Sequence, residues 1–145
     1  MRRYHYLIPA FILLLLFSCV SAAVAAEESD DVPGYDENTE VTIRGVIADS
    51  GMYRRGPVVL LVKADTKTYQ VVTAPRWYLA QEGIVFTSGE KIEVTGSKYY
   101  AKDGSLSLIA HTIKFAGKTT AIAFRDGSCN PLWKQHRRGH QMRNR

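Results

Sequence analysis

The stretch GEKIEVTGSKYYAKDGSLSLIAHTIKF (Gly89–Phe115) reads as two strands joined by a tight turn, and this hairpin sets the terms for the whole chain. Ile92 and Val94 point one way, while Lys91, Glu93 and Thr95 point the other. A period of two means a strand with one buried side. Asp103-Gly104 supplies the turn, because both residue types tolerate positive φ. On the return, Leu106, Leu108 and Ala110 share a face. The alternation then slips near Thr112, and Ile113 and Phe115 rejoin the inner face, which predicts a bulge. Gly96, inside the first of the two strands, predicts a second sharp bend of the kind that closes a sheet on itself.

Upstream, VTIRGVIAD (Val41–Asp49) alternates, with Val41, Ile43, Gly45 and Ile47 on one face and Thr42 and Arg44 on the other. A turn-rich loop follows, then the denser apolar run PVVLLVKAD (Pro57–Asp65). TYQVVTA (Thr68–Ala74) pairs back across the short connection through Thr66. In APRWYLAQEG, Pro75 suits a helix start and Gly83 the left-handed position past its end, which predicts about two helical turns. Trp77, Tyr78 and Leu79 on that helix are expected to plug the open end of a barrel. A last short strand, Thr119–Phe124, is added at the end. The predicted fold is therefore all-β: a small five- to six-stranded Greek-key barrel with one short helix between strands three and four, the OB architecture.

On the stretches PRWYL, GEKIEVTGS and FRDGSCNPLW, the region Val41–Trp133 resembles small exported bacterial OB-fold proteins. The resemblance implies a binding module rather than a reaction.

The chain ends carry different information. Arg2 and Arg3, an apolar run over Leu7–Phe17, and Val24-Ala25-Ala26 form the three parts of a secretory signal peptide. Cleavage near Ala26 and export to the periplasm, cell envelope or medium are expected. Leu16-Phe17-Ser18-Cys19 also resembles a lipobox, which makes lipidation at Cys19 an alternative. With cleavage at the alanines, Cys129 is the one cysteine left, so an internal disulfide is excluded. The formal net charge of +5 is unevenly placed. Residues 27–40 are acidic with no Lys or Arg, and residues 134–145 are basic with no Asp or Glu. Both lack apolar periodicity and read as disordered tails flanking a barrel domain at 41–133. The basic tail is placed to make weak contact with an anionic membrane surface, at about 1 kcal/mol per basic residue near it, or equally to fold onto the acidic residues 27–40, at a strength that salt would screen.

The candidate ligand-binding residues are Tyr53, Arg54 and Arg55 in the first loop, and Lys98, Tyr99, Tyr100 and Lys102 around the last hairpin. Aromatic and basic types gather there, where OB folds take oligonucleotides or sugars. An exported protein is not expected to meet nucleic acid, so an anionic small molecule, a glycan or a partner protein is the expected occupant. Cys129, His136 and His140 form an alternative metal or haem set, since thiolate and imidazole suit soft or borderline ions. Nearby arginines would lower the Cys129 thiol pKa if they lay close to it. Haem chaperones of cytochrome c maturation share the fold and attach haem at a His with a following Tyr. No Tyr follows His136 or His140 here. His111 reads as an ordinary outward-facing histidine. Arg125–Ser128 reads as a turn, after which Trp133 anchors the segment on the barrel edge.

No P-loop, His-Glu-x-x-His, Gly-x-Ser-x-Gly or dinucleotide fingerprint occurs. The expected function is that of a non-enzymatic exported binding module that needs no cofactor. The alternatives are a metal- or haem-handling periplasmic protein, and a lipid-anchored assembly factor docking on a larger complex.

Overall fold

The computed structural model describes residues 32–52 and 56–135. The expectations for the signal peptide, Cys19, Tyr53, Arg54, Arg55, His136 and His140 fall outside these residues. A 3-10 turn, Glu37–Thr39, leads into strand β1, Glu40–Met52. Then come β2 (Pro57–Ala64), β3 (Lys67–Pro75), helix α1 (Arg76–Gln81), β4 (Lys91–Tyr100), β5 (Leu106–Phe115) and β6 (Ile122–Ala123).

The sheet order is β3-β2-β1-β4-β5-β6, and a parallel pairing of β3 with β5 closes it into a barrel. This is the expected five-stranded Greek-key barrel with a sixth strand, its helix lying between strands three and four. β1 is long because it serves two neighbours. Glu40–Val46 pair with β4 and Val46–Met52 with β2. The changeover falls at Val46, next to Gly45, where a Cβ would stand 2.3 Å from the Lys63 carbonyl oxygen.

The second bend is at the predicted place. Thr95 pairs with Thr112, but Gly96 pairs with Ala110, so His111 is the extra residue of a bulge in β5. A Cβ on Gly96 would stand 2.3 Å from the Ile109 carbonyl oxygen. Beyond the bulge, Ile113 and Phe115 return to the interior and are buried. The core gathers Ile47, Leu60, Val62, Val71, Val94, Leu108 and Ile113, all fully enclosed.

Tyr78 and Leu79 of α1 are buried against this core, as a plug requires. Trp77 stays at the edge, with its ring edge-on to Tyr78. Pro75 caps the helix and Gly83 ends it at φ 64°. The hairpin turn is held by Asp103, whose Oδ1 accepts from the Ser105 amide at 2.8 Å.

The segment after β5 pairs back onto that strand. β6 pairs with Thr112 and Ile113, and the Phe124 amide donates to the His111 carbonyl at 2.8 Å. Phe124 is fully buried. The chain then turns through Asp126, whose Oδ1 accepts from the amides of Ser128 and Asn130. It returns along an Arg125–Pro131 bridge. Leu132 and Trp133 pack on the core, and the Trp133 ring lies 6.0 Å from that of Tyr78.

Because Gly96 faces a backbone carbonyl rather than a flexible side chain, Gly96→Ala cannot be absorbed by a rotamer change. It should destabilise the protein by about 1–3 kcal/mol, the usual range for overpacking, as read from urea or thermal unfolding. Unchanged stability would mean that the β4–β5 bulge is not tightly packed.

Candidate functional site

Two groups of polar side chains stand out. The first forms where the chain enters and leaves the barrel. The entry is pinned to β4: the Asp36 amide donates to Ser97 Oγ at 3.2 Å, and Thr39 Oγ1 lies 2.9 Å from the same oxygen. This holds Tyr35 and Glu40 beside His111. A bulge re-aims the side chain it carries, so His111 is half-buried rather than ordinary surface. Glu40 Oε2 accepts the Tyr35 hydroxyl, and His111 Nδ1 lies 3.2 Å from that same oxygen. The Tyr35 and His111 rings meet edge to face at 5.6 Å.

Arg125 covers this group. Its guanidinium sits 5.0 Å from the Tyr35 ring centre and 5.9 Å from that of Trp133. Nη1 donates to the Cys129 carbonyl at 2.8 Å, while Nε is buried with no protein acceptor. Cys129 adopts φ 59°, and its thiol donates to Glu37 Oε1 at 3.3 Å.

The ionisation equilibria follow from these contacts. Partial burial, then the hydrogen bond to Glu40 and its charge, push Tyr35 above the usual phenol range. The Tyr35 hydroxyl first, and His111 second, hold the Glu40 carboxyl below its ordinary value. Burial lowers Arg125. For Cys129 the sequence expectation is reversed. An arginine is indeed near, but desolvation and Glu37 outweigh it and raise the thiol pKa. Such a thiol is less nucleophilic at neutral pH than a free cysteine.

The second group lines a groove of about 520 Å³ on the outer side of β1, β4 and the end of β5. Register builds it. Arg44 pairs with Glu93 and Glu93 with Lys114, so the three form one cross-strand row. Lys91 flanks the row, and Lys118 arrives after a turn at Gly117, its Nζ 5.1 Å from the Phe115 ring centre. Ile92 and Phe115 also border it, although both turn into the core and are almost wholly buried. Among the described residues Glu93 is the one carboxylate lining the groove, and Arg44 Nε donates to it at 2.5 Å. The groove therefore presents a surplus of positive charge.

The sequence did not single out these cations. Arg44, Lys91 and the Lys114/Lys118 pair are far apart in the chain, and each looks like a solvated surface residue. Of the residues it did single out, Lys98, Tyr100 and Lys102 are exposed at the β4–β5 hairpin, and Tyr99 is half-buried. Tyr53, Arg54 and Arg55 lie outside the described residues, so their meeting with the hairpin is not described. Of the alternative metal set only Cys129 is described. Among the described residues no three His, Cys, Asp or Glu side chains converge as metal ligands.

The model of the MamS/MamX magnetosome protein family matches residues 37–120, more than half of the chain. The chain belongs to the MamS/MamX family. The matched region runs from the 3-10 turn past the end of β5 and contains every residue of the basic groove. Of the first group it contains Glu37, Glu40 and His111, while Tyr35, Arg125 and Cys129 lie outside it. Among solved structures, the chain is similar to a chain of the S. pombe Stn1–Ten1 complex, at 22% identity and a TM-score of 0.46. That similarity covers 55% of this chain and 59% of the other, so the chain spans less than two thirds of its neighbour's length. No curated protein matches the chain.

The Glu40 contacts carry a pH dependence. A carboxylate whose folded pKa is depressed adds stability that is fully present above its unfolded pKa, about 4.3. That stability is lost as pH falls through the folded value. Glu40→Gln should therefore flatten the acid-side fall of stability below that pH, in urea titrations at stepped pH. An acid limb identical to that of the unmodified protein would mean that Glu40 gains nothing from Tyr35 and His111.

Proposed function

We propose that this member of the MamS/MamX family is a non-enzymatic binding module of the cell envelope that holds an anionic group in the groove formed by Arg44, Lys91, Lys114 and Lys118. The observation that carries this reading is the charge balance of that groove: among the described residues four cations line it, and the one carboxylate there is already paired with Arg44. Positive charge without a matching carboxylate attracts an anionic ligand. Lys118 already rests its charge over the Phe115 ring, which places it at the groove's edge. The occupant is an anionic small molecule or an acidic segment of a partner protein. The open sheet face, the absence of a catalytic motif in the sequence and the Arg-led apolar N-terminus support binding in the envelope rather than catalysis.

A fluorescein-labelled peptide of alternating Glu and Leu tests the groove by anisotropy at low and high salt. The unmodified protein should bind it, and salt should weaken binding. The double variant K91E/K114E should lose at least about tenfold in affinity, or about 1.4 kcal/mol, while K98E/K102E at the hairpin should change little. If the hairpin variant loses binding instead, the ligand meets the loops and not the groove. No binding at low salt removes the anionic-ligand reading.

Export is tested separately, by the intact mass of the protein from its own envelope fraction. A chain beginning near Glu27 is expected. A chain retaining Met1 argues against export, and a diacyl addition on Cys19 identifies a lipid-anchored form.

A further inference from the structure

The group at the barrel entrance has a chemistry that the basic groove does not use. A phenol oxygen, a carboxylate oxygen and an imidazole nitrogen converge, although their residues come from three separate elements. Tyr35 precedes the 3-10 turn, Glu40 opens β1, and His111 is the bulge residue of β5. Two of these donors address one atom: the Tyr35 hydroxyl bonds Glu40 Oε2, and His111 Nδ1 lies 3.2 Å from it. Metal–ligand bonds of about 2.0–2.1 Å at right angles put neighbouring donors about 3 Å apart, close to the His111–Glu40 separation. The side chains of His111 and Glu40 remain 23% and 35% exposed, so an ion can reach them from solvent.

We propose that Tyr35, Glu40 and His111 form a binding site for ferric iron, separate from the basic groove. The donor set selects the ion. Thiolate is absent from it, so soft ions gain nothing. Magnesium and calcium prefer oxygen alone, and one donor of three is nitrogen. A phenol acts as a strong ligand only as phenolate, and at neutral pH it yields its proton only to a strongly polarising cation. Ferric iron is such a cation, and it accepts carboxylate and imidazole in the same shell. Binding forms an iron–oxygen bond at Tyr35 and releases the phenol proton to solvent; no electron moves. Three protein donors leave the remaining positions of an octahedral ion to water. The Arg125 guanidinium lies 5.0 Å from the Tyr35 ring centre. The arrangement differs from the Cys129, His136 and His140 set, since Cys129 is turned to Glu37 and contributes no donor.

Ferric nitrilotriacetate, added to the mature protein at neutral pH, tests the site through the visible phenolate-to-iron charge-transfer band. The unmodified protein should develop the band with a one-to-one endpoint. Tyr35→Phe should lose it, while Tyr100→Phe, at an exposed tyrosine of the hairpin, should keep it. Glu40→Gln and His111→Asn should each weaken binding at least tenfold, with circular dichroism confirming the fold. No band in the unmodified protein overturns the proposal, as does a band that survives in Tyr35→Phe. Iron bound without any band also overturns it, because the phenol would then not be a ligand. Should Tyr35→Phe fail to fold, His111→Asn decides: unchanged affinity overturns the site.

Discussion

A methyl group on Gly45 would stand 2.3 Å from the Lys63 carbonyl oxygen and 2.7 Å from a Val62 methyl. The barrel depends on that empty space. β1 must pair with β4 over its first half and with β2 over its second, and Val46 belongs to both pairings. A strand can serve two neighbours in different directions only by bending, and at the bend the adjacent strand comes too close for any side chain. Once β1 bends, β2 and β4 diverge, and β3 can reach round to pair with β5. The closed core around Leu60, Val62, Val94 and Leu108 follows from that closure.

The bulge at His111 is the second consequence of closure. β5 has to pair with β4, with β3 and with β6 along one strand, and an extra residue lets it change direction between them. The register shift moves His111 beside the chain entry, where Glu40 and Tyr35 await it. It also leaves the His111 carbonyl free to accept from Phe124, which docks the exit segment. Entry and exit therefore meet at one place. Arg125 joins them by lying against the rings of both Tyr35 and Trp133. A half-buried guanidinium between two aromatic rings loses hydration but gains ring contacts that Lys would fill poorly.

Charge is arranged differently at the two places. At the entry, Glu37 and Glu40 are occupied by Cys129, Tyr35 and His111, so negative charge is locked into short-range contacts. On the outer face of β1, β4 and β5 the row Arg44–Glu93–Lys114 has one acid between two bases, and the groove's other cations meet no further carboxylate lining it. Positive charge there stays available to an outside partner. The family match spans this whole groove, whereas it ends before the exit segment that completes the entry group.

Much of the fold was legible because strand periodicity and turn chemistry are local. The alternation of Ile92 and Val94, the slip near Thr112, Asp103-Gly104, and the Pro75 to Gly83 helix each express a preference set by a few adjacent residues. Each appears in the structure where it was read. Gly96 marked its bend for the same reason: only a residue without Cβ tolerates that approach. The helix plug was also legible, for Tyr78 and Leu79 more than for Trp77. Tyr35, Glu40, His111 and Arg125 were not legible as a group, nor were Arg44, Lys91, Lys114 and Lys118. Nothing about His111 signals a partner when its neighbours in sequence are Ala110 and Thr112, and a lysine on an outer strand face looks the same whether or not others stand beside it. The sequence by itself determined where the strands, turns and buried faces lie, because those depend on spacing along the chain. Only the tertiary structure decided which polar groups meet, because pairing register and barrel closure bring together residues that the chain keeps apart.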